Sequence, residues 1–240
     1  MLRAELRALP ALVGRPPAFD LETLPADPYG LFADWFHEAV DAGVPEPHAM
    51  TLSTIDGDGM PDARVLLLKD LTVEGWWFAS EEGSAKGRQL AANPQAALTF
   101  YWSPLGRSVR IRGQVARGTD ARSAEDFLER GAGARAVALA GRSGSTADAL
   151  DADAEIAAAI DAALRGIESA GPASTDASWR VWCVHTASVE FWQAHPERRH
   201  VRVRYERAGD GWTTVRLWAL TAETAEEAET TAHTASSRAK

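Results

Sequence analysis

The segment EFWQAHPERRHVRVRYER, residues 190–207, alternates apolar and polar side chains and carries a dense row of basic residues. If residues 198–205 form an extended strand, side chains two apart share a face, so one face carries Arg198, His200, Arg202 and Arg204. The neighbouring acids Glu197 and Glu206 do not face into this row. Two interpretations remain open: a solvated strand face whose cations pair with carboxylates, or an anion site. The local excess of cations favours the anion site.

The overall charge of the chain has the opposite sign. The 240 residues include 25 Lys and Arg against 34 Asp and Glu, which gives a net charge of −9. Such a surface does not attract nucleic acid or anionic lipid as a whole, so any anion site has to be local. No run approaches the ~18 consecutive apolar residues of a membrane span. We therefore expect neither a nucleic-acid partner nor a membrane partner.

Cysteine and histidine usage limits the chemistry further. The single cysteine, Cys183, excludes an internal disulfide, an iron–sulfur cluster bound by several thiolates and a cysteine-based zinc site. His185, His195 and His200 lack metal-site spacing and carboxylate companions, so no metal is predicted. No GxSxG motif marks a nucleophilic serine. A chain with one cysteine suits a reducing compartment, and we expect a cytoplasmic protein.

Hydrophobic periodicity changes along the chain from helical to strand spacing. A helix that follows Asp27-Pro28 and ends near Gly43 is predicted, with an apolar face formed by Leu31, Trp35, Ala39 and Val40. Residues 49–56 then alternate and run into DGDG, which is a hairpin signal. The continuous apolar run in ARVLLLKDL (63–71) predicts a strand buried on both faces.

The remaining segments repeat this mixture of strands and helices. Further strands are predicted at 75–80, 96–102, 108–118, 179–192, 200–207 and 212–218. Further helices are predicted at 84–92, 121–130 and 148–169. Many short antiparallel strands with a few helices predict an α+β fold built on a barrel.

The two ends of the chain are expected to lie outside this fold. Residues 1–24 show weak periodicity and predict a flexible arm that orders on a partner subunit or not at all. Residues 221–240 contain no apolar residue larger than alanine, which predicts a disordered tail. Residues 25–220 are expected to form one domain, because strands on both sides of the helical insert 119–178 have the same character.

A second group of basic residues lies earlier in the chain. Arg64 and Lys69 bracket four apolar residues, and Lys86 starts the helix signalled by Gly83-Ser84. Free backbone N–H groups and the helix dipole favour a phosphate at such a helix start. Each lysine alone is more often exposed to solvent, so a solvated surface and a phosphate site both remain open.

Four motifs together resemble a known family. RVLLLK (64–69), GSAK (83–86), NP (93–94), and VEFWQ followed after four residues by RRHVR (189–202) resemble the pyridoxamine 5′-phosphate oxidases, over about residues 27–218. The last motif is the most specific, since the family pattern is E-F-W-Q, four residues, then R-x-H-x-R. The resemblance implies an FMN-binding split β-barrel (Greek-key, mainly antiparallel) with peripheral helices. It also implies a homodimer with FMN at the subunit interface.

The resemblance assigns roles to individual positions. FMN contacts are implied for Arg64, Val65, Leu66, Leu67, Leu68, Lys69, Ala79, Ser80, Lys86, Ser108, Trp192 and Arg202. Of these, Arg64 and Lys86 hold the FMN phosphate, whereas Trp192 and Arg202 come from the other subunit. The implied substrate contacts are Lys69, Arg130, Arg198 and His200, and the implied catalytic residues are Arg198 and His200.

The sequence also departs from the family pattern. Ala85 replaces a basic residue beside the FMN phosphate and Ser108 replaces a flavin-binding glutamine, which should weaken FMN binding. In the substrate-phosphate pocket, Asp126 and Ala134 replace a tyrosine and a serine, and an aspartate there repels a phosphate dianion. The Arg-x-x-Tyr lid is replaced by ALVG (11–14). These departures favour a substrate without a phosphate, as in the similar phenazine-biosynthesis flavin oxidases, which oxidise dihydrophenazine carboxylates.

These inferences combine into one main hypothesis. It is an FMN-dependent oxidase that takes a hydride from a planar substrate and passes the electrons to O₂, giving peroxide. Arg198 binds or polarises an anionic or oxygenated substituent, and His200 accepts a proton or a hydrogen bond. Three alternatives remain: a pyridoxamine 5′-phosphate oxidase that makes pyridoxal 5′-phosphate, a non-catalytic flavin-binding protein, and a β-barrel binding module without flavin.

Overall fold

The computed structural model describes residues 2–140, 152–170 and 175–217. Its helices are α1 (Arg3–Ala8), α2 (Pro28–Asp41), α3 (Ala85–Ala92), α4 (Asp120–Glu129), α5 (Ala132–Leu139) and α6 (Ala152–Ala170). Its strands are β1 (Ala49–Ile55), β2 (Pro61–Leu67), β3 (Asp70–Thr72), β4 (Gly75–Glu81), β5 (Gln95–Trp102), β6 (Arg107–Arg117), β7 (Trp179–Gln193), β8 (Val201–Ala208) and β9 (Gly211–Arg216). The predicted α+β class is confirmed.

The nine described strands form one sheet. The strand order is β2-β1-β5-β6-β7-β4-β3, with β8 paired to β7 and β9 paired to β8. The pairs β1–β2, β3–β4, β4–β7, β7–β8 and β8–β9 are antiparallel. The chain divides into two compact units, the first within residues 1–48, 99–111 and 187–217 and the second within 49–98 and 112–186.

Helix α2 supplies much of the apolar core of the first unit. The Asp27 side chain caps it by accepting hydrogen bonds from the backbone N–H groups of Tyr29 and Gly30, at 2.9 and 3.1 Å. The predicted apolar face is largely confirmed, because three of its four residues are buried: Leu31, Trp35 and Ala39. Val40 is 49% exposed and does not belong to that face.

A buried arginine organises the interior of the first unit. Arg107 is inaccessible to solvent, and its guanidinium lies 4.1 Å from the centre of the Trp35 ring. Its Nε donates to Gln193 Oε1 at 2.7 Å and its Nη1 donates to Glu38 Oε2 at 2.6 Å. A buried cation is stable only when its donors are satisfied, so these bonds connect α2 and β6 to the end of β7.

The hairpin of β1 and β2 begins the second unit. Its register runs from Ala49 opposite Leu67 to Ile55 opposite Pro61. The expectation of a strand buried on both faces is wrong, since Val65 is 68% exposed. The reason is the position of β2 at the edge of the sheet, where it pairs with β1 alone among the described strands.

Several element boundaries differ from those predicted. Helix α5 was not predicted, and the predicted strand 200–207 is observed as β8 one residue later. Residues 148–151 of the predicted helix 148–169 and residue 218 of the last predicted strand lie outside the described residues. The proposed tail 221–240 lies outside them too. None of the described helices has both the length and the apolar composition to cross a membrane.

The flexible arm at 1–24 stays a prediction. All residues of helix α1 are exposed. The following segment contacts the first unit, since Gln193 Nε2 donates to Pro17 O at 2.9 Å and Arg15 N donates to Pro104 O at 2.9 Å. Residues in the second half of the segment 1–24 therefore contact the first unit of their own chain.

Candidate active site

Two of the predicted phosphate ligands lie near the start of helix α3, in the second unit. Ser84 caps this helix, and its hydroxyl is 3.3 Å from Gly87 N and 3.2 Å from Lys86 Nζ. Burial lowers the pKa of Lys86, and the nearby Arg64 guanidinium lowers that pKa further, while Glu81 opposes both. A phosphate dianion would offset this repulsion and accept from the helix N-terminus, so the cluster fits the FMN phosphate.

The Arg64 guanidinium is oriented by its neighbours. It donates to Thr54 Oγ1, to the Asp62 carboxylate and, at 3.0 Å, to Gln89 Oε1. Gln89 Nε2 in turn donates to Asp62 Oδ2 at 2.9 Å. These bonds fix the orientation of the guanidinium, and the Asp62 carboxylate is its ion-pair partner.

The other positions assigned to FMN in the second unit lie on two strands. β2 carries Val65, Leu66 and Leu67, and its outer backbone edge has no partner among the described strands, which leaves N–H and C=O groups for contacts with a planar ring. Leu68 follows this strand directly. On β4, Ala79 is half-buried and the hydroxyl of Ser80 lies 3.1 Å from that of Ser84. The structure thus brings Ser80 to the phosphate cluster.

An open groove of about 1110 Å³ lies in the same unit and contains Lys69. Lys69 Nζ is 3.5 Å from Asp126 Oδ1, and Asp126 Oδ2 accepts from Trp179 Nε1 at 2.8 Å. Arg122 lies 3.8 Å from the centre of the Trp77 ring and pairs with the carboxylate of Asp70. Both cations that line the groove therefore have a carboxylate partner.

Arg130, the other predicted substrate residue of this unit, is engaged in internal contacts. Its guanidinium stacks 4.1 Å from the centre of the Trp179 ring, and Nη2 donates to Ala134 O at 3.0 Å. Burial lowers its pKa, whereas Asp126 and Glu81 act in the opposite direction. Arg130 supports the groove wall, and it does not line the groove.

A second cavity, of about 350 Å³, lies in the first unit. It brings together three residues assigned to FMN from three different strands, namely Ser108 on β6, Trp192 on β7 and Arg202 on β8. Its other lining residues, Thr99, Arg110 and Glu190, were not predicted from the sequence. Strand spacing could have identified Arg110 and Glu190, because each lies two residues from an assigned position on the same strand.

The cationic row of residues 198–204 does not form one extended face. Arg198 lies in a turn with φ +62°, and its N–H donates to His195 O at 2.9 Å, so β8 begins only at Val201. The expectation of an unpaired row is also wrong. Two of its cations are paired, Arg202 with Glu190 at 2.7 Å and Arg204 with Glu206 at 2.7 Å, and Arg199, outside the row, pairs with Glu197 at 2.5 Å. Arg198 is exposed and has no carboxylate partner within the described residues.

His200 lies beside Trp192, with ring centres 5.0 Å apart. Its Nδ1 accepts a hydrogen bond from His195 N at 3.1 Å. Burial lowers the pKa of His200, and the charges of Arg198 and His195 lower it further. The neutral ring therefore carries its proton on Nε2, assigned from this bond, so His200 acts as a donor and has no free basic nitrogen.

Comparisons with known proteins agree with this geometry. The family model "Pyridoxamine 5′-phosphate oxidase" matches residues 36–163, and "Pyridoxine 5′-phosphate oxidase C-terminal dimerisation region" matches residues 179–219. The pyridoxine/pyridoxamine 5′-phosphate oxidase of Bradyrhizobium sp. (strain ORS 278) is 38% identical over 82% of this chain and 90% of its own. That of Thermosynechococcus vestitus is 41% identical over 80% of this chain and 89% of its own.

Two solved structures are similar to this chain. PhzG from Burkholderia lata 383, in complex with tetrahydrophenazine-1-carboxylic acid, has a TM-score of 0.78 and 26% identity, and covers 85% of this chain and 100% of its own. A pyridoxamine 5′-phosphate oxidase-related, FMN binding protein from Nostoc punctiforme has a TM-score of 0.65 and 16% identity, over 81% and 99% of the two chains. The second likeness concerns the fold alone.

Proposed function

Because this chain belongs to the pyridoxamine 5′-phosphate oxidase family of FMN-dependent oxidases, we propose that it oxidises a planar dihydro-aromatic acid that carries no phosphate. Family membership confirms the predicted split-barrel fold, the cofactor FMN and the oxidoreductase class. It overturns the alternatives of a non-catalytic protein and of a module without flavin. FMN supplies the hydride acceptor, and in this proposal O₂ takes the electrons.

The ion pair between Lys69 and Asp126 carries the choice of substrate. The Asp126 carboxylate lies 3.5 Å from Lys69 Nζ. A phosphate dianion at Lys69 would have to displace this carboxylate, which loses the ion pair, or lie beside it, which adds repulsion between two anions. Trp179 Nε1 holds that carboxylate in place at 2.8 Å. Arg130, which could otherwise bind phosphate, is stacked on the Trp179 ring. The groove therefore favours a substrate that carries less negative charge than a phosphate dianion at this position.

Arg198 and His200 supply the polar contacts to the substrate in this proposal. Arg198 is exposed on its turn and is the cation available for a substrate carboxylate. His200 is neutral and donates from Nε2 to an oxygen or ring nitrogen of the substrate. Together they bind and orient a flat acid, and the Trp192 ring beside His200 excludes water from one side.

We further propose a homodimer in which both subunits contact FMN. The match of residues 179–219 to a dimerisation region supports it. Arg64 and Lys86 hold the phosphate from one subunit, and Trp192 and Arg202 complete the site from the other. In this arrangement each FMN contacts the Arg64–Lys86 cluster of one subunit and the Trp192–Arg202 cluster of the other.

The substrate class is tested with the purified holoprotein under anaerobic conditions. Bleaching of the flavin absorption by a dihydrophenazine carboxylate, faster than by pyridoxamine 5′-phosphate, is the expected result. PhzG, whose structure holds tetrahydrophenazine-1-carboxylic acid, motivates the first donor. The relatives named pyridoxine/pyridoxamine 5′-phosphate oxidase motivate the second, and preferential bleaching by pyridoxamine 5′-phosphate would make that reaction the function.

The role of Arg198 is tested by Arg198→Ala. We expect unchanged FMN content and a turnover lowered by ~10²-fold, because the lost contact acts on the reacting substrate. Arg199→Ala is the matched control, since Arg199 is the next residue, is exposed and pairs with Glu197. Equal turnover in both variants would remove Arg198 from the mechanism.

A further inference from the structure

Glu190 is a buried carboxylate held between two arginines in the cavity of the first unit. It is 8% exposed, and Oε1 accepts from Arg202 Nε at 3.1 Å and from Arg202 Nη2 at 2.7 Å. Its other oxygen accepts from Arg110 Nη2 at 2.8 Å. Both carboxylate oxygens are therefore engaged, in a cavity that Trp192 also lines.

The pairing of β7 with β8 makes this choice of partner informative. In the register, Glu190 lies opposite Arg204, and Trp192 lies opposite Arg202. Glu190 nevertheless binds the diagonal residue Arg202, whereas Arg204 pairs with Glu206. Diagonal contacts are within reach of long side chains, and this one draws the Arg202 guanidinium along the face toward Glu190.

The charges of the cavity explain why two arginines share one acid. A single Glu190–Arg202 pair would be neutral and would not attract an anionic ligand. With Arg110 on the second oxygen, two cations meet one carboxylate and the group keeps one net positive charge. Arg110 and Arg202 are 49% and 35% exposed, so both can be hydrated if the acid is removed.

We propose that Glu190 is a positioning residue for FMN. It fixes the guanidinium of Arg202 in the geometry that contacts the cofactor, and Arg110 restores the positive charge that Glu190 would otherwise cancel. This inference rests on the cofactor of the family and does not depend on which substrate is oxidised.

Charge and position make opposite predictions for this acid. If Glu190 acted only through its charge, its neutralisation would leave the cavity more positive and anionic FMN would bind more tightly. If it positions Arg202, the freed guanidinium loses its fixed geometry and FMN binds more weakly, despite the added positive charge.

The test is the dissociation constant of FMN, measured by the fluorescence of flavin released on dilution of the holoprotein. Glu190→Gln is expected to weaken FMN binding by ~10-fold, since a charge-assisted bond to an arginine is lost. Glu206→Gln is the matched control, because it breaks the neighbouring ion pair with Arg204 outside the cavity, and it should stay within about twofold. Unchanged or tighter binding in Glu190→Gln would overturn the proposal.

A second variant keeps the charge and changes only the position. Glu190→Asp retracts the carboxylate by one methylene, so weaker FMN binding and an altered visible circular dichroism of the bound flavin are expected. Thermal unfolding of the same samples checks that the fold is intact. If Glu190→Gln does not fold, Glu190→Asp decides alone, and wild-type affinity with a wild-type flavin spectrum would contradict a positioning role.

Discussion

The cavity of the first unit and the groove of the second unit contain the same kinds of side chains but opposite charge balances. The cavity sets Arg110 and Arg202 against Glu190 alone. The groove contains two cations and four carboxylates. The cations are Lys69 and Arg122, and the carboxylates are Asp70, Glu125, Asp126 and Glu129. In both, an aromatic ring lies beside the charges, Trp192 in one and Trp77 in the other.

The difference shows that the ratio of acids to bases decides what each surface can bind. A shared carboxylate orients two arginines and leaves a positive charge, which suits an anionic cofactor. A groove with more carboxylates than cations keeps a negative balance, which disfavours a phosphate dianion. The number of basic residues in a motif is therefore a poor guide to anion binding unless their acidic partners are known.

The largest expected effect is on FMN affinity, and it distinguishes an arginine of the cavity from an arginine of the groove. Arg202→Ala should weaken FMN binding by ~10²-fold, because it removes the guanidinium that Glu190 orients. Arg122→Ala should change FMN binding by less than about twofold, since Arg122 lies over Trp77 in the groove. Titration by flavin fluorescence measures both, and equal losses would show that the two surfaces do not differ in this way.

A smaller effect tests the neutralised lysine of the groove. Asp126→Asn removes the charge that faces Lys69 but keeps an acceptor for Trp179 Nε1. Binding of pyridoxal 5′-phosphate as an inhibitor should therefore improve by ~10-fold. Asp70→Asn is the control, because Asp70 pairs with Arg122 and not with Lys69. An inhibition constant unchanged by Asp126→Asn would mean that Asp126 does not discriminate against phosphate.

The smallest effect concerns pH and the turn beside the cavity. Burial, Arg198 and His195 hold the pKa of His200 below its ordinary value of 6.5, so protonation favours the unfolded chain. The stability from neutral His200 is complete above that value and is lost as the pH falls through the lower pKa of the folded protein. His200→Asn should thus reduce the fall in Tm on acidification by about 1–2 °C.

Scanning calorimetry of the two proteins between pH 7.5 and pH 5 checks this expectation. Asn can still accept from His195 N, so the turn should persist in the variant. Identical slopes of Tm against pH would show that His200 does not titrate differently in the folded and unfolded protein.

The sequence predicted most of the secondary structure because each segment has a clear period. Alternation located β1, β5, β6 and β7 to within a residue or two, and the helical stripe located α2. The apolar run of β2 was misjudged, because composition does not tell an edge strand from a central one. The turn at Arg198 was missed since its φ of +62° has no glycine to announce it.

For the candidate site, the family motif could be identified from the sequence, and with it the cofactor and the reaction class. The position of individual residues in one cavity, such as Ser108 with Trp192 and Arg202, followed the family assignment. The acidic partner Glu190 did not follow from that assignment, since it lies 80 residues from Arg110 and 12 from Arg202. Alternation relates Arg110 to Ser108 and Glu190 to Trp192 on their own strands, but only the pairing of β6, β7 and β8 brings Glu190 to Arg110 and Arg202.

The amino-acid sequence by itself determined the elements, the family and the set of basic residues, because periodicity and motif spacing are local properties. Only the tertiary structure decided which of those cations are paired with a carboxylate. Ion pairing depends on distances of a few ångströms that periodicity does not give: the sheet register sets Glu190 opposite Arg204, yet Glu190 pairs with the diagonal Arg202 and Arg204 pairs with Glu206.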